Sequence, residues 1–444
     1  MQKFYRRQMI GLIVLALYAL FASGIAIAAD SKTLTLEKAL ELALSRNPSI
    51  TASQSQVQAA QGRVTQARAG YLPNLSVSSS YNRKYSYSPD SSSSSNGNDY
   101  DDYLAKTSLS QLIYDFGATT GKIDSTISSL ESSRKSLQDT AAGLYRDVKL
   151  TFLEALKKQQ LVEVNRESLR VQEKHLAQAR ALYKNGMRPR IDVTKSETEV
   201  SQARLTLLQS EYAMRNSFTN LEALLGGSLG SQGYQGLAEV VIDLRPPEQL
   251  EPLTAQGLKK RPDMLQLKSQ VQAAKAGLES VLGGYWPRLN ATGSYTLSDD
   301  EPALEDNAWQ AGVTLTWDIF TGFRHEGEKT EAQAEVDRLQ ALVKSKELAI
   351  VSEVTQSYLT VKEAYEAIEV ARTALSQARE NMKQAEGRYQ AGRSNAVELS
   401  DAQVLYTQSQ SALVQATYTH LQAWASLDYA VGTEPSIDSA TWNK

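Results

Sequence analysis

The chain contains no cysteine. That absence excludes disulfide bonds and also a lipid-modified N-terminal cysteine as a membrane anchor. Histidine is almost as scarce: His175, His325 and His420 are the three present. They stand far apart, with no metal-ligand spacing and no paired nucleophile. No glycine-rich phosphate loop occurs either, so nothing in the chain has the form of a catalytic or cofactor site. No enzyme activity, cofactor or metal is expected, and lone histidines of this kind are expected on helix surfaces. The formal net charge is only −3, which gives no reason to expect a nucleic-acid partner. Aromatic residues make up only 7% of the chain.

Long apolar runs are missing after the first 28 residues, so no transmembrane helix is expected in the mature chain. The first 28 residues read as an export signal. Lys3, Arg6 and Arg7 form a positive end, Met9 to Phe21 an apolar run, and Ala26-Ile27-Ala28 an A-x-A cleavage site. The apolar run falls short of the roughly 20 residues that a span requires.

What the chain does have is itself, twice. Ser55 to Ala60, SQVQAA, returns letter for letter at Ser269 to Ala274, an offset of 214. Pro48, Gly70, Tyr71 and Pro73 keep that offset with Pro262, Gly284, Tyr285 and Pro287. Further along the offset becomes 206, pairing Leu109 with Leu315, Val148 with Val354, Gly186 with Gly392 and Gly226 with Gly432. An internal repeat of this kind defines the architecture. We place a first repeat at 29–226 and a second at 254–432. An inter-repeat segment, 227–253, and a short tail, 433–444, complete the chain.

Each copy opens with helical periodicity. Leu34 to Gly70 reads as helix, interrupted at Asn47-Pro48 because proline disfavours helix at the residue before it. The helix is rich in Ala and Gln, which suits a thin wall of closely packed helices. The period then changes to two. In the first copy a hairpin is expected over 73–116, with Leu75, Val77, Ser79, Tyr81, Arg83 and Tyr85 on one face. Its polar loop, Ser88 to Asn98, takes up the eight extra residues of this copy. In the second copy, over 287–320, Leu289, Ala291, Gly293, Tyr295 and Leu297 alternate, as do Trp309, Ala311, Val313, Leu315, Trp317 and Ile319. Gln310, Gly312, Thr314 and Thr316 lie on the other face. Apolar on one side and polar on the other over about ten residues is the pattern of a membrane β-barrel, and tyrosines near strand ends fit its aromatic girdle. From Thr120 to Lys184 no breaker occurs, and roughly 65 helical residues would span about 100 Å. The turn at Asn185-Gly186-Met187 and the return helix Ile191 to Leu225 follow, and the second copy turns near Gly392. Within the connecting segment, Ala238 to Leu244 reads as a possible strand packed outside the helices.

Four strands per chain cannot close a barrel, whose smallest form has about eight, and open edges are not tolerated in lipid. Several copies must therefore share one.

These residues resemble the TolC-like outer membrane factor family. Gly70-Tyr71-Leu72-Pro73-Asn74-Leu75 and Gly284-Tyr285-Trp286-Pro287-Arg288-Leu289 resemble its helix-to-strand junctions. Leu109 to Asp115 resembles its strand-to-helix junction. Gly186 with Ile191-Asp192-Val193, and Gly392 with Val397-Glu398-Leu399, resemble its helical tips. The resemblance implies a mainly α protomer with a β-barrel part: an internally duplicated subunit of a trimeric 12-stranded outer membrane barrel continuous with a 12-helix periplasmic α-barrel. It implies an exit duct for a tripartite efflux pump or type I secretion system in a Gram-negative-type cell, and without a cysteine the chain is expected not to be lipid-anchored. Its partners would be two further copies, outer membrane lipid, a periplasmic membrane fusion adaptor and an inner-membrane pump of the RND or ABC type. By the same resemblance Glu398 and Asp401 would ring the closed periplasmic end as a gate. Asp192 and Tyr389 would belong to a tip latch, with Arg393 or Arg188 replacing an arginine whose position is taken by Ser394. Asn185, Gly186, Met187, Ala391, Gly392 and Arg393 would face the adaptor. The competing reading is a trimeric exported adhesin of the cell surface, which would bind without conducting.

Overall fold

The computed structural model describes residues 32–86, 98–228, 234–247 and 249–433. The expected export signal, Tyr87, nearly all of the polar hairpin loop and the tail beyond Thr433 lie outside the described residues. The first copy contains β1 (Lys32–Leu34), α1 (Leu36–Arg46), α2 (Pro48–Arg68), β2 (Asn74–Ser86), β3 (Asn98–Tyr114), α3 (Ala118–Lys184) and α4 (Arg190–Leu225). After β4 (Tyr234–Leu237) the second copy repeats the order with α5 (Leu250–Lys260), α6 (Pro262–Gly283), β5 (Arg288–Asp299), β6 (Asp306–Thr316), α7 (Arg324–Gln390) and α8 (Ala396–Val431). The correspondence extends to length. Helices α3 and α7 have 67 residues each, about 100 Å at 1.5 Å per residue, and α4 and α8 have 36 each.

Local chemistry sets the boundaries. Thr35 caps α1 by accepting from Lys38 N, and Asn47 caps α2 by accepting from Ser49 N, each satisfying a free N–H of the first turn. Pro48 and Pro262 occupy the first turn of α2 and α6, where the missing N–H costs nothing. Left-handed residues turn each strand into the next long helix: Phe116 and Gly117 in the first copy, Gly322 and Phe323 in the second.

There is no single core. Leu40, Val148, Phe152, Leu156, Leu221 and Leu225 form one buried cluster among α1, α3 and α4. Met264, Ile350, Val354, Leu427 and Val431 form its counterpart in the second copy. Ala385, Tyr389, Ala396, Leu399 and Ala402 form a small cluster at the helical tips. Much of the burial elsewhere falls on Ala, Ser and Gly, which lets helices approach as a wall.

The four long strands form one antiparallel sheet in the order β2-β3-β5-β6. Its register places Leu75 opposite Leu109, Leu109 opposite Gly293 and Leu289 opposite Leu315. Odd-numbered positions thus share one face, with Leu75, Val77, Tyr295, Trp309, Val313 and Leu315 exposed on it. Ser76, Ser78, Ser108, Thr292, Ser294 and Thr314 share the other. An apolar sheet face left uncovered marks a surface that meets lipid or another chain, and among the described residues β2 and β6 are both unpaired edges.

Four expectations are corrected. Leu34 belongs to a strand and not to the first helix: β1 pairs in parallel with β4, and the helix cannot begin before its cap at Thr35. Ala238 to Leu244 is not a strand. The paired segment is Tyr234–Leu237, and once β1 ends at Leu34 its edge offers no further partner beyond Ala238 N, which donates to Leu34 O. The segment is instead irregular, with Val241 and Ile242 exposed, and the chain is held just beyond it at Arg245. Trp424 Nε1 donates to Arg245 O at 3.4 Å, and the Arg245 guanidinium lies 4.6 Å from the Trp424 ring centroid. The last strand ends at Thr316, so Trp317 and Ile319 fall in the junction, where Trp317 Nε1 donates to Tyr285 O at 3.0 Å. The histidines, finally, are not on helix surfaces: His175 and His420 are buried and His325 nearly so.

His420 is fully enclosed between the rings of Tyr365 and Trp424. Burial pushes its pKa below the usual 6.5, with the Val361 backbone and the Asp243 carboxylate opposing. A folded pKa below the unfolded one means that the unfolded chain takes up protons first. Stability is therefore lost as pH falls below about 6.5, by up to roughly 1.4 kcal/mol per pH unit until the folded pKa is reached. Thermal unfolding followed by circular dichroism should fall between pH 7.5 and 5.5, and His420→Leu should flatten that fall. An unchanged slope would remove His420 as its source.

Candidate functional site

The two helical turns, Asn185–Arg188 and Ala391–Ser394, lie together at the end of the molecule opposite the sheet. Each is built the same way. Gly186 N donates to Tyr183 O and Met187 N to Leu182 O. Gly392 N donates to Tyr389 O and Arg393 N to Arg388 O. Such paired bonds close a helix end through a left-handed residue, and Gly186 and Gly392 have φ of +67° and +72°, where a side chain would be strained. Asn185, Gly186, Met187, Ala391, Gly392 and Arg393 are all exposed at these turns.

Tyr389 is buried beneath them. The Arg188 guanidinium sits 5.0 Å from its ring centroid, and Arg188 Nη2 donates to Ser394 O at 2.7 Å. Burial raises the Tyr389 hydroxyl pKa; Asp192 and Glu199 push it the same way and Arg188 opposes. The phenol therefore stays neutral beside the half-buried Asp192. Arg393 is not part of this arrangement: its side chain is exposed and makes no hydrogen bond or ion pair among the described residues. Arg188 was the less prominent of the two arginines in the sequence. The repeat offset of 206 maps it onto Ser394, the residue whose carbonyl it bonds.

Below Tyr389 a cavity of about 10 Å³ is lined by Gln172, His175, Ser196, Glu199, Leu399 and Ser400 among others. His175 Nδ1 lies 3.4 Å from Gln178 Oε1, while Nε2 has no hydrogen-bond partner among the described residues. Burial lowers its pKa, so it is held neutral. Sequence reasoning missed this polar interior because its members, on α3, α4, α7 and α8, are spread over more than 200 positions.

Glu398 and Asp401 stand one turn apart at the start of α8. Asn395 Oδ1 accepts from Glu398 N at 3.0 Å, and the first turn of a helix favours an acid. Glu398 Oε1 is also 2.9 Å from Arg388 Nη1. Asp401 is exposed and has no ion pair or hydrogen bond among the described residues. The larger cleft among α3, α4 and α8, about 590 Å³, is lined mainly by Gln, Ser, Thr and Ala, with Asn165, Val404 and the single carboxylate of Glu199. No group of three or more potential metal ligands occurs among the described residues.

Comparison with known proteins gives a consistent result. The model of the family described as outer membrane efflux protein matches residues 39–227 and 253–433. The pyoverdine export outer membrane protein OpmQ of Pseudomonas putida is 22% identical over 417 residues, covering 91% of this chain and 87% of that protein. The proteases secretion protein PrtF of Dickeya chrysanthemi is 22% identical over 433 residues, 93% of this chain and 92% of that protein. The crystal structure of the Campylobacter jejuni CmeC outer membrane channel superposes with a TM-score of 0.82 at 14% identity, covering 92% of this chain and 88% of that one.

Proposed function

The chain belongs to the outer membrane efflux protein family, and from that premise we propose that three copies close one 12-stranded barrel over a 12-helix tunnel. It is an outer membrane exit duct of the efflux and type I secretion kind, with its helices extending into the periplasm. The observation that carries this is the sheet: four strands, apolar on one face and polar on the other, with two unpaired edges. Lipid against the apolar face and water against the polar one satisfy both, and neighbouring copies satisfy the edges. An adhesin has no need of a continuous polar inner face. The duct performs no reaction. Energy and selection come from an inner-membrane pump of the RND or ABC type and a periplasmic membrane fusion adaptor, which meets the exposed turns at Gly186 and Gly392. Relatives of similar identity are named for pyoverdine export and for protease secretion, in keeping with a passive conduit. The test is reconstitution: the purified protein should run as a heat-resistant trimer from outer membrane fractions and conduct ions in a planar bilayer. Surface binding without conductance would favour the adhesin.

At the tips, Arg188, Tyr389 and Asp192 act as the latch, with Arg188 and not Arg393 as its cation, and Glu398 and Asp401 ring the constriction. The Arg188 contacts at Tyr389 and Ser394 support the first assignment. Crowded carboxylates at a pore favour cations. Replacing both Glu398 and Asp401 with Ala should lower cation preference in single-channel recordings. Asp401→Ala removes charge alone, whereas Glu398→Ala also frees Arg388 and should raise the conductance of the closed state. If the double variant conducts like the parent, the gate assignment falls.

A further inference from the structure

The polar face of the sheet carries little charge. Its members on the four strands are mainly Ser, Thr, Asn and Gln. Most of its charges stand toward the strand ends. Near the loops Lys84 pairs with Asp102, and Asp306 opens β6. Arg288 opens β5 at the other end. Lys106 is different. It lies midway along β3, opposite Ser78 on β2 and Thr296 on β5. Its side chain is exposed, and its ammonium has no ion pair or hydrogen bond among the described residues.

The fold gains nothing from a lysine there. Lysine is depleted in strands, and hydroxyl neighbours cannot neutralise it. The repeat does not call for it either. The offset of 206 carries Lys106 to Gly312, opposite Thr292 on the same face, where nothing among the described residues lies within 4 Å of a Cβ. Each chain therefore supplies this charge once.

We propose that Lys106 forms an anion-attracting site inside the barrel: three lysines, one from each subunit, ring the lumen and draw in anionic solutes or the anionic groups of a cargo. This rests on the reading of the chain as one subunit of a shared 12-stranded barrel with the polar face turned inward. Dimensions make such a ring effective. Twelve strands about 4.8 Å apart and tilted by about 40° close at a radius of roughly 12 Å. A lysine stem reaches about 6 Å, so each ammonium stands roughly 6 Å from the axis and about 10 Å from the next. The Debye length at physiological ionic strength is about 8 Å, so no path through the lumen at this level escapes the field. Three like charges this close repel one another, and an anion among them relieves that repulsion. The ligand class is therefore phosphate, carboxylate or sulfonate, with multivalent anions favoured. The sign is opposite to that of Glu398 and Asp401, so barrel and tips attract opposite ions.

Because the chain has no cysteine, one introduced thiol can report the local potential. Ser78→Cys places it beside Lys106, since facing residues have Cβ atoms about 4.5–5.5 Å apart. A unit charge about 6 Å away in water changes the local concentration of a monovalent ion roughly threefold. An anionic and a cationic methanethiosulfonate reagent, applied to the full-length protein in lipid vesicles, should therefore differ in rate by up to about tenfold for one lysine. The ratio of anionic to cationic rate should fall about three- to tenfold when Lys106→Gln is added. Lys106→Glu should lower it further, and Lys106→Arg should preserve it. The differences should be large at about 0.01 M salt and collapse at about 1 M. Val77→Cys, on the other face, should be shielded from both reagents by lipid. A ratio that ignores Lys106→Gln and Lys106→Glu overturns the ring, as does a thiol that reacts at Val77 but not at Ser78. Single-channel recording separates this from the larger reading. A conducting trimer with an unchanged ratio overturns the ring alone, and a protein that neither conducts nor forms trimers overturns the duct and the ring together.

Discussion

Arg261→Ala is expected to cost the folded chain about 3–5 kcal/mol, the range for removing one partner of a buried ion pair. Arg261 is 4% exposed and sits where α5 ends and α6 begins. Its Nη2 is 2.8 Å from Asp263 Oδ2 and its Nη1 2.6 Å from Glu353 Oε2, and Nη1 also donates to Ala430 O. One guanidinium therefore ties α6 to α7 and α8. Burial works against its charge, but the hydrogen bonds it donates to Asp263 and Glu353 outweigh that and hold it firmly protonated. Without it, Asp263 keeps Lys346 Nζ at 2.6 Å and the Met264 N–H at 2.8 Å, and the Ala430 carbonyl loses the Arg261 donor. The apparent melting temperature of the purified protein should drop by roughly 3–6 °C. Arg261→Lys keeps the charge but not the planar fork, so it should fall between Ala and the parent. A melting temperature within about 2 °C of the parent for Arg261→Ala would show that the cluster adds nothing net.

The repeat shows why Arg261 was hard to read. The offset of 214 matches Pro262 to Pro48 but sets Arg261 against Asn47, and unlike residues draw no attention. Yet Asn47 Nδ2 donates to Leu224 O at 2.9 Å, and the offset of 206 carries Leu224 to Ala430, the carbonyl that Arg261 reaches. The repeat keeps the contact and changes the side chain. What was legible was periodic. Alternation in Leu289 to Leu297 and Trp309 to Leu315 marked the sheet, and the long unbroken run to Lys184 marked α3. What was not legible depended on residues distant in sequence. Whether Ala238 to Leu244 becomes a strand depends on where β1 ends, and β1 ends because Thr35 caps a helix. Whether His420 is exposed depends on the Tyr365 and Trp424 rings around it. At the tips, motif likeness located Asp192, Tyr389, Glu398 and Asp401. It could not foresee that Arg188 would lie over Tyr389, or that Glu398 would pair with Arg388, because both depend on how the turns pack.

Gly121→Leu should prevent assembly, while Gly143→Leu in the same helix should not. The two glycines have the same intrinsic helix cost, about 0.5–1 kcal/mol against alanine, so replacing either improves the helix alone. Their surroundings differ. Nothing among the described residues lies within 4 Å of a Cβ at Gly143. At Gly121 the Cβ would fall 2.5 Å from Ser280 N and 2.8 Å from Ser280 Cα, backbone atoms in mid-helix that no rotamer change can move aside. Ser280 Oγ also donates to Ala118 O at 2.6 Å, one turn away, and holds the helices at that separation. Overpacking typically costs 1–3 kcal/mol, and contact against rigid backbone places Gly121→Leu at or above about 3 kcal/mol. The damage falls where the first copy meets the second, just beneath the sheet, so displaced helices also misplace β5 against β3. Heat-resistant oligomer on denaturing gels should be lost for Gly121→Leu, reduced for Gly121→Ala and retained for Gly143→Leu. Equal oligomer yields from the two leucine variants would mean that the backbone contact between α3 and α6 does not govern how the copies join.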